Sequence, residues 1–283
     1  KREIDFKRKC FDKYNDIYNH KEKQQKIILY IHMHPITQAI EQLTRIAATY
    51  GFVQYTGPEI ETEWHNFDAL RVAKDHPARD AQDTFWLDAE FGETIQGLEH
   101  LGPQKLLPRT HTSGAQIRRM LEGSTSLEHK PPFKIISAGK VFRNEATDAT
   151  HEAEFHQLEG LCVGKNISVA DLKNFITDMY KDFFGSDIRV RFRESFFPFV
   201  KPGLEVDIFW KDRWLEVAGG GMVHPEVLQF GLGEHMSREE LSDITGFAFG
   251  MGVERLVMLK YGIDDIRHLQ SGDLRFNSQF KLF

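Results

Sequence analysis

Six segments in which apolar and polar residues alternate constrain the fold of this chain more than any other feature. Alternation with a period of two is typical of β-strands that bury one face. Short polar loops join several of these segments, and such loops favour antiparallel pairing over parallel strands linked by crossover helices. The six predicted strands are Ile135–Asn144, Glu154–Val163, Ile188–Arg193, Leu204–Trp210, Arg213–Ala218 and Gly246–Gly250.

Three segments with apolar residues at helical spacing accompany the strands. The first begins at position 35 and can end at Gly51, before a stretch, Phe52–Ile60, that looks extended. The second follows Ser168, with Asp171 three residues on as the partner in a capping box. The third, Val253–Tyr261, directly follows the last strand. The sequence therefore predicts an α+β fold, with a large antiparallel β-sheet flanked by α-helices.

Composition limits the compartments and partners to be considered. No apolar run among the 283 residues approaches the roughly 18 that a membrane span needs, so we expect no membrane partner and a cytoplasmic location. Cys10 and Cys162 have no ligand at metal-binding spacing, and they predict neither a disulfide framework nor a zinc site. Because the net charge is −6, a nucleic acid would need a local basic surface. Residues 1–26, with nine Lys or Arg against five Asp or Glu, are one candidate, and a solvated helix face is the alternative.

The strands around residues 141–161 carry an unusual set of polar side chains. Phe155, Gln157 and Glu159 alternate along one strand and should share a face, while Arg143 and Glu145 should share a face of its partner. Buried polar groups without partners are unfavourable, so such a face would be a poor core surface. An arginine can meet a phosphate, an aromatic ring can stack on a purine, and carboxylates can hold an ammonium group. The face therefore indicates a binding site, with a solvent-exposed face and a salt bridge as the alternative.

A second pair of strands brings acidic side chains together. If residues 211 and 212 form a two-residue turn, Asp207 lies opposite Glu216, and position 205 lies opposite position 218. Like charges directly opposite repel each other, and a divalent cation with oxygen ligands, such as Mg²⁺ accompanying a nucleotide, would relieve the repulsion. Two exposed acids on a solvated sheet are the alternative.

Two further segments are candidates for ligand contact. Glycines between Gly246 and Gly252 lead into a helix that carries Arg255 in its first turn, where close backbone approach and anion binding are favoured. This is not a dinucleotide fingerprint, because Arg255 stands where the third glycine belongs and no βαβ unit surrounds it. The stretch Arg109–Ser113, followed by Gln116, is rich in hydrogen-bonding side chains before a predicted helix. An ordinary polar loop is the alternative there.

Taken in order, these segments resemble the three motifs of class II aminoacyl-tRNA synthetases. The similar segments are His34–Ile36 and Gly57–Glu61 for motif 1, Val141–Glu145 and Phe155–Gly160 for motif 2, and Gly250–Leu256 for motif 3. Other segments narrow the resemblance to the bacterial-type phenylalanyl-tRNA synthetase alpha-subunit family. They are Asn66–Leu70, His76–Arg79, Asp83–Trp86, Phe196–Phe199, Gly221–Pro225 and Gly246–Gly250.

The resemblance implies catalytic, nucleotide, amino-acid and metal sites. Arg143 and Arg255 would be the catalytic residues, the first holding the α-phosphate and the second lying near the γ-phosphate. The implied ATP-binding residues are Arg143, Glu145, His151, Phe155, Gly252 and Arg255. The implied phenylalanine-binding residues are Trp86, His111, Ser113, Gln116, Gln157, Glu159, Phe197, Phe199, Ala248 and Gly250. The implied ligands of Mg²⁺ are Glu216 with Asp207 or Glu205.

The resemblance also implies a domain organisation and partners. Residues 1–33 would be a charged helical segment, the remnant of a tRNA-binding arm, and residues 34–283 would be the catalytic domain. The chain would activate L-phenylalanine with ATP and transfer it to tRNA(Phe), in an α₂β₂ assembly with a beta subunit. Two alternatives remain: a ligase that passes the adenylate to another acceptor, and a catalytically inactive regulatory or scaffold relative. The inactive relative should lack Arg143, Glu159 or Arg255, and all three are present.

Overall fold

A computed structural model of the chain describes residues 33–91, 102–125, 130–233 and 236–280. The predicted N-terminal segment 1–33 lies, but for its last residue, outside the described residues. Its helical character and its proposed role therefore stay predictions, as does everything that concerns Cys10. None of the helices within the described ranges is long and apolar enough to cross a membrane.

The described strands form a seven-stranded sheet and a small three-stranded sheet. In chain order they are β1 (Val53–Gln54), β2 (Ile60–Thr62), β3 (Glu90–Phe91), β4 (Gln104–Pro108), β5 (Phe133–Phe142), β6 (Glu154–Lys165), β7 (Val190–Phe197), β8 (Val200–Trp210), β9 (Arg213–Val223) and β10 (Ile244–Gly252). The large sheet has the order β1-β5-β6-β10-β9-β8-β7, and the small one has the order β2-β4-β3.

The large sheet is mixed, and antiparallel pairing predominates in it as predicted. The six predicted strands pair antiparallel with one another, as expected. The seventh, β1, pairs parallel with β5 at the edge of the sheet. The prediction rested on short connecting loops, whereas residues 55–132 separate β1 from β5 and a connection of that length can enter a sheet in either direction.

The helices follow the capping signals of the sequence. They are α1 (Pro35–Thr49), α2 (Glu63–Asn66), α3 (Gly114–Thr125), α4 (Val169–Phe184), α5 (Pro225–Leu232), α6 (Arg238–Ser242), α7 (Val253–Tyr261), α8 (Arg267–Gln270) and α9 (Leu274–Asn277), with 3₁₀ turns at Asp68–Leu70 and Pro77–Arg79. The capping box of Ser168 and Asp171 is present at the start of α4. The predicted helix Val253–Tyr261 has the observed bounds and ends at Gly262 in the left-handed region.

One face of the large sheet packs against helices. Apolar residues of α1, α4 and α7 pack there against alternate residues of the central strands, including Leu158 of β6 and Phe247, Phe249 and Met251 of β10. Phe175 of α4 contacts both β10 phenylalanines, with ring centroids 6.3 and 5.2 Å apart. This core fixes β6 and β10 as a rigid platform.

The opposite face is only partly covered. A second apolar cluster, which includes residues of α3 and α5, packs on the far ends of β6 and β10 at Leu161, Val163 and Ala248. Towards the other end of β6 the same face carries Glu159 and Gln157, where the covering helices give way to a cavity. The predicted polar surface and the second apolar cluster therefore lie on the same face of the sheet. The face is polar where the covering helices end.

The hairpin of β8 and β9 confirms one predicted register and corrects another. Positions 211 and 212 form the two-residue turn, and Asp207 lies opposite Glu216 as predicted. Glu205, however, lies opposite Gly219 and not opposite position 218, because a bulge between positions 206 and 207 adds a residue to β9. The bulge moves Glu205 one step along its partner strand.

Candidate active site

A cavity of about 600 Å³ opens on the uncovered part of the sheet. Its walls come from β6, β9 and β10, from the residues after β5, from the start of α3 and from the tip of the β7–β8 hairpin. It brings together the predicted nucleotide residues Arg143, Glu145, His151, Phe155, Gly252 and Arg255. It also brings together the predicted amino-acid residues His111, Ser113, Gln116, Gln157, Glu159, Phe197, Phe199, Ala248 and Gly250, and the predicted metal ligand Glu216.

The floor of the cavity is a row of residues in register across neighbouring strands. Glu159 of β6 lies opposite Gly250 of β10, which lies opposite Gly219 of β9. A Cβ atom at Gly250 would come within 3.0 Å of Cγ of Glu159, and one at Gly219 would come within 2.9 Å of Cζ of Phe197. Both distances are shorter than ordinary carbon contacts. The two glycines therefore leave room for the side chains that line the cavity.

Glu159 is a buried carboxylate held by three donors from the segment that enters α3. The backbone N–H of Thr112 donates to Oε1 at 3.1 Å, and Ser113 Oγ and Gln116 Nε2 donate to Oε2 at 2.6 and 2.9 Å. Burial raises the pKa of the Glu159 carboxyl, and the three hydrogen bonds oppose that rise in part. The carboxylate is thus fixed in place but lacks a cationic partner at hydrogen-bond distance among the described residues, which suits it to receive one from a ligand.

Two more polar atoms beside Glu159 lack partners. Gln157 Oε1 and His111 Nδ1 are buried and make no hydrogen bond with any described residue. Burial, followed by the nearby Arg143, lowers the pKa of His111 to about 3, so the imidazole is neutral. Buried polar groups normally find partners. An unpaired amide oxygen next to a buried carboxylate marks the place where a donor of a bound molecule would sit.

An aromatic wall closes the same end of the cavity. The rings of Phe197 and Phe199 lie 5.9 Å apart at an interplanar angle of 23°. They stand at the tip of the β7–β8 hairpin, where residues 198 and 199 form the turn. With the small residues Ala248 and Gly250 beside them, they form a slot whose shape and polarity suit a phenyl ring.

Two arginines mark the other end of the cavity. The Arg143 guanidinium lies 5.1 Å from the ring centroid of Phe155, and its Nε donates to the carbonyl oxygen of Thr110 at 3.2 Å. Arg143 follows the last residue of β5, so it belongs to the connecting loop and not to the strand that the sequence predicted. Arg255, in the first turn of α7, donates through Nη1 to the carbonyl oxygen of Glu216 at 3.3 Å. Both cations remain open to the cavity and can meet an anion.

The loop between β5 and β6 forms one rim of this arginine end. His151 Nδ1 lies 3.1 Å from Asp148, whose carboxylate also accepts the backbone N–H groups of residues 150 and 151. These hydrogen bonds, first that from Thr150, hold the pKa of the Asp148 carboxyl below its usual range. The loop is thus ordered by its own side chains, with His151 facing the cavity.

The acidic residues predicted to bind Mg²⁺ are arranged differently from the prediction. The Asp207 carboxylate accepts hydrogen bonds from both Arg191 and Arg193 at 2.6–3.0 Å, and it does not line the cavity. Glu205 pairs with Arg193 at 2.7 Å. Within the described ranges, no group of three or more acidic, histidine or cysteine side chains could hold a metal ion. Guanidinium groups, and not the predicted metal cation, therefore offset the repulsion between these carboxylates. Of the three predicted ligands, only Glu216 lines the cavity.

Trp86 also lies away from the cavity lining. Its indole Nε1 donates to the carbonyl oxygen of Arg79 at 3.1 Å, and its ring lies 6.0 Å from that of Phe67. Phe67 in turn lies 6.4 Å from the ring of His111. The structure therefore connects Trp86 to His111 of the cavity through the intervening ring of Phe67 and not by direct contact.

One buried residue that sequence reasoning passed over ties the site together. Glu254, the residue before Arg255, accepts the backbone N–H of His156 at 2.9 Å and lies 2.8 Å from its ring Nδ1. His156 stands between Phe155 and Gln157, so this contact fixes β6 to the start of α7. The signal in the sequence was the acidic side chain in the first turn of the mostly apolar helix Val253–Tyr261.

Comparison with known proteins places the chain among synthetases. Residues 18–280 match the family described as "tRNA synthetases class II core domain (F)". The chain is 46% identical over 257 residues to a phenylalanine–tRNA ligase alpha subunit of Deinococcus radiodurans, covering 88% of this chain and 70% of that protein. It is 46% identical over 258 residues to the alpha subunit of Aromatoleum aromaticum, covering 88% and 69%. It is 47% identical over 250 residues to that of Aliivibrio fischeri, covering 88% and 68%.

Proposed function

The chain belongs to the class II phenylalanine–tRNA ligase alpha-subunit family, and from that membership and the cavity we propose that it activates L-phenylalanine with ATP and transfers it to tRNA(Phe). The observation that carries the proposal is one cavity with two chemically different ends. An aromatic slot beside a buried carboxylate lies at one end, and two arginines beside a phenylalanine ring lie at the other. An amino acid and a nucleotide placed there would meet in the middle.

The amino-acid end suits phenylalanine in particular. The substrate ammonium would donate hydrogen bonds to the Glu159 carboxylate and to Gln157 Oε1. Gln157 Oε1 has no hydrogen-bond partner in the described part of the chain. The phenyl ring would enter the slot formed by Phe197 and Phe199. At the apolar floor of that slot, at Ala248, a tyrosine hydroxyl would lose water without gaining a partner, which disfavours tyrosine.

The nucleotide end suits the charge that the reaction generates. The substrate carboxylate would attack the α-phosphorus of ATP, and pyrophosphate would leave. Negative charge then builds on the non-bridging oxygens of the α-phosphoryl group, which the guanidinium of Arg143 would contact, with Arg255 near the leaving phosphates. The Arg143 guanidinium already lies against Phe155, so the groups assigned to phosphate and purine are neighbours. Alignment and positive charge, and no protein nucleophile, would drive the step.

Class II synthetases generally use ATP with Mg²⁺. The residues predicted to hold it do not fit a metal centre, because Asp207 and Glu205 are engaged by arginines. Glu216 faces the cavity, and burial, followed by the nearby Glu205, raises the pKa of its carboxyl. The chemistry proposed above therefore rests on the two arginines of the site.

The relatives' name supports further proposals about partners. They are called alpha subunits, which supports a beta-subunit partner for this chain, and we propose an α₂β₂ assembly in the cytoplasm. tRNA(Phe) would be the acceptor, with the charged residues 1–33 as a candidate for contact with it. The catalytic domain would then span residues 34–283.

The test is phenylalanine-dependent exchange of labelled pyrophosphate into ATP, with the chain co-produced with its beta subunit. We expect exchange with phenylalanine and little with tyrosine. Arg143→Ala should lower the exchange rate by about 10²–10³, the effect typical of a lost stabilising donor. Arg275→Ala, which removes a strongly exposed cation that contacts Asp273, is the matched control and should change nothing. A correctly assembled complex without exchange would refute the proposal.

A further inference from the structure

Arg71 holds the hairpin that carries the aromatic wall, yet none of the chemistry above uses it. Its Nη1 donates to the carbonyl oxygen of Pro198 at 2.7 Å, between Phe197 and Phe199 in the chain. Its Nε donates to Glu226 Oε2 at 2.8 Å, in the first turn of α5. One guanidinium thus joins the tip of the hairpin to a helix that belongs to the second apolar cluster.

The hairpin tip needs such a connection because of its place in the sheet. β7 is the edge strand, so the turn after it has sheet neighbours on one side only. The register shifts between Ser195 and Phe197, and the side chain of Phe196 is 85% exposed. Besides Arg71, the backbone N–H of His224 donates to the carbonyl oxygen of Phe199 at 2.9 Å. Within the described part of the chain, Arg71 thus supplies a side-chain hydrogen bond to the tip and His224 a backbone one.

The backbone of Arg71 is suited to act as a fixed anchor. It follows the 3₁₀ turn Asp68–Leu70 and has φ +59°, in the left-handed region where glycine is the usual residue. Ala69 and Leu70 before it are buried, so the anchor is tied to the second apolar cluster. An arginine at a backbone position that favours glycine points to a role for its side chain.

We propose that Arg71 is a positioning residue for the aromatic amino acid, acting through the Pro198 carbonyl to set the separation of Phe197 and Phe199. The proposal rests on the function proposed above and adds a residue outside the cavity that controls its fit. Loss of the guanidinium would let the hairpin tip move and would loosen the slot for the phenyl ring. The arginine end of the cavity would keep its geometry, because it is built from β6, α7 and the loop after β5.

Arg71→Gly is the informative variant, because glycine accepts the left-handed backbone and removes only the side chain. In pyrophosphate exchange with the complete complex, KM for phenylalanine should rise about tenfold, the scale of one lost hydrogen bond from a charged group. The kcat at saturating phenylalanine and the KM for ATP should stay within about twofold of wild type, since the chemical step does not involve the tip. Arg71→Lys should restore part of the affinity by again donating to the Pro198 carbonyl.

Three comparisons make the outcome decisive. Wild-type complex without exchange refutes the proposed function, whatever the variants do. An active wild type with an unchanged KM for phenylalanine in Arg71→Gly overturns the positioning role. An equal loss in every kinetic parameter, together with a lower melting temperature and no rescue by lysine, shows a merely structural role and also overturns it. Arg275→Ala again serves as the control. If Arg71→Gly fails to assemble, Arg71→Asn takes its place and is judged by the same criteria, because asparagine also accepts the left-handed backbone and is too short to reach the Pro198 carbonyl.

Discussion

Replacing Glu159 by glutamine tests the amino-acid end of the cavity, because the change removes charge and keeps shape. The new amide oxygen can accept the backbone N–H of Thr112, as Oε1 does now. The new NH₂ group would face Ser113 Oγ and the amide of Gln116, both of which can turn to accept a hydrogen bond. The site should therefore keep its geometry, and what changes is the attraction for an ammonium group.

The expected loss follows from what a buried charge contributes. A hydrogen bond to a charged group contributes about 1.5–3 kcal/mol, and breaking a buried ion pair costs about 3–5 kcal/mol. Taking about 2–4 kcal/mol for a site open to solvent on one side, the Kd for phenylalanine should rise roughly 30- to 700-fold. The assay is titration calorimetry of phenylalanine with the complete complex.

The Glu159→Gln substitution should weaken phenylalanine binding without lowering the stability of the unliganded protein. Because burial raises the pKa of the Glu159 carboxyl in the folded protein, its contribution to stability is present below the unfolded pKa and is lost as pH rises through the folded pKa. At neutral pH the glutamine variant without ligand should therefore melt at the same temperature as wild type or higher. Bound phenylalanine should raise the melting temperature of wild type much more than that of the variant.

A ligand without the ammonium group provides the control. 3-Phenylpropionate fills the aromatic slot but offers no cation to Glu159, so the variant should bind it at least as well as wild type does. The difference between the two ligands isolates the ammonium contact. A fall of less than about fivefold in phenylalanine affinity, or an equal fall for both ligands, would refute the assignment of Glu159.

Two further substitutions test the floor and the acidic network. Gly219→Ala should push the ring of Phe197 into the slot, an overpacking effect of about 1–3 kcal/mol that would raise KM for phenylalanine roughly 5- to 140-fold while KM for ATP stays constant in exchange kinetics. Asp207→Asn should lower the free energy of unfolding by about 1–2 kcal/mol at pH 7, since its arginine partners are partly exposed. Hydrogen bonding by Arg193 lowers the pKa of Asp207, so this stabilisation is lost as pH falls through that lowered pKa. The free energy of unfolding of the variant should therefore depend less on pH in the acid range. A changed Mg²⁺ dependence of exchange in the variant would contradict our view that Asp207 is not a metal ligand.

The alternation of residues along β6 predicted which side chains share a face, because successive side chains of a strand point to opposite faces. Phe155, Gln157 and Glu159 share a face in the structure as they do in the pattern, and α7 begins and ends as predicted. Capping residues located α4 for the same reason, since the capping box is a local arrangement. These features depend on neighbours in the chain, which is why they could be predicted.

Features that depend on neighbours in space could not be predicted in this way. The strand β9 continues through Gly219, Gly220 and Gly221, a run that has the composition of a loop. Glycine is needed there because a Cβ atom at Gly220 would come within 2.6 Å of the Ala248 carbonyl oxygen on β10. The bulge before Asp207 and the two arginines that hold its carboxylate likewise come from other strands. The predicted register of Glu205 was wrong for that reason, and the pairing of Asp207 and Glu205 with arginines could not be predicted from the sequence either.

The spacing of the site along β6 limits what the cavity can be built to hold. Phe155 and Glu159 lie four residues apart on one strand, about 13 Å at the usual rise per residue. A free amino acid anchored at Glu159 and in the aromatic slot stays at one end, and a nucleotide stacked on Phe155 stays at the other. A single molecule that joins the two makes both sets of contacts at once, with Arg143 beside Phe155 at the nucleotide end. The geometry therefore favours the joined aminoacyl adenylate over either substrate alone, as expected of a site that stabilises what it makes during the reaction.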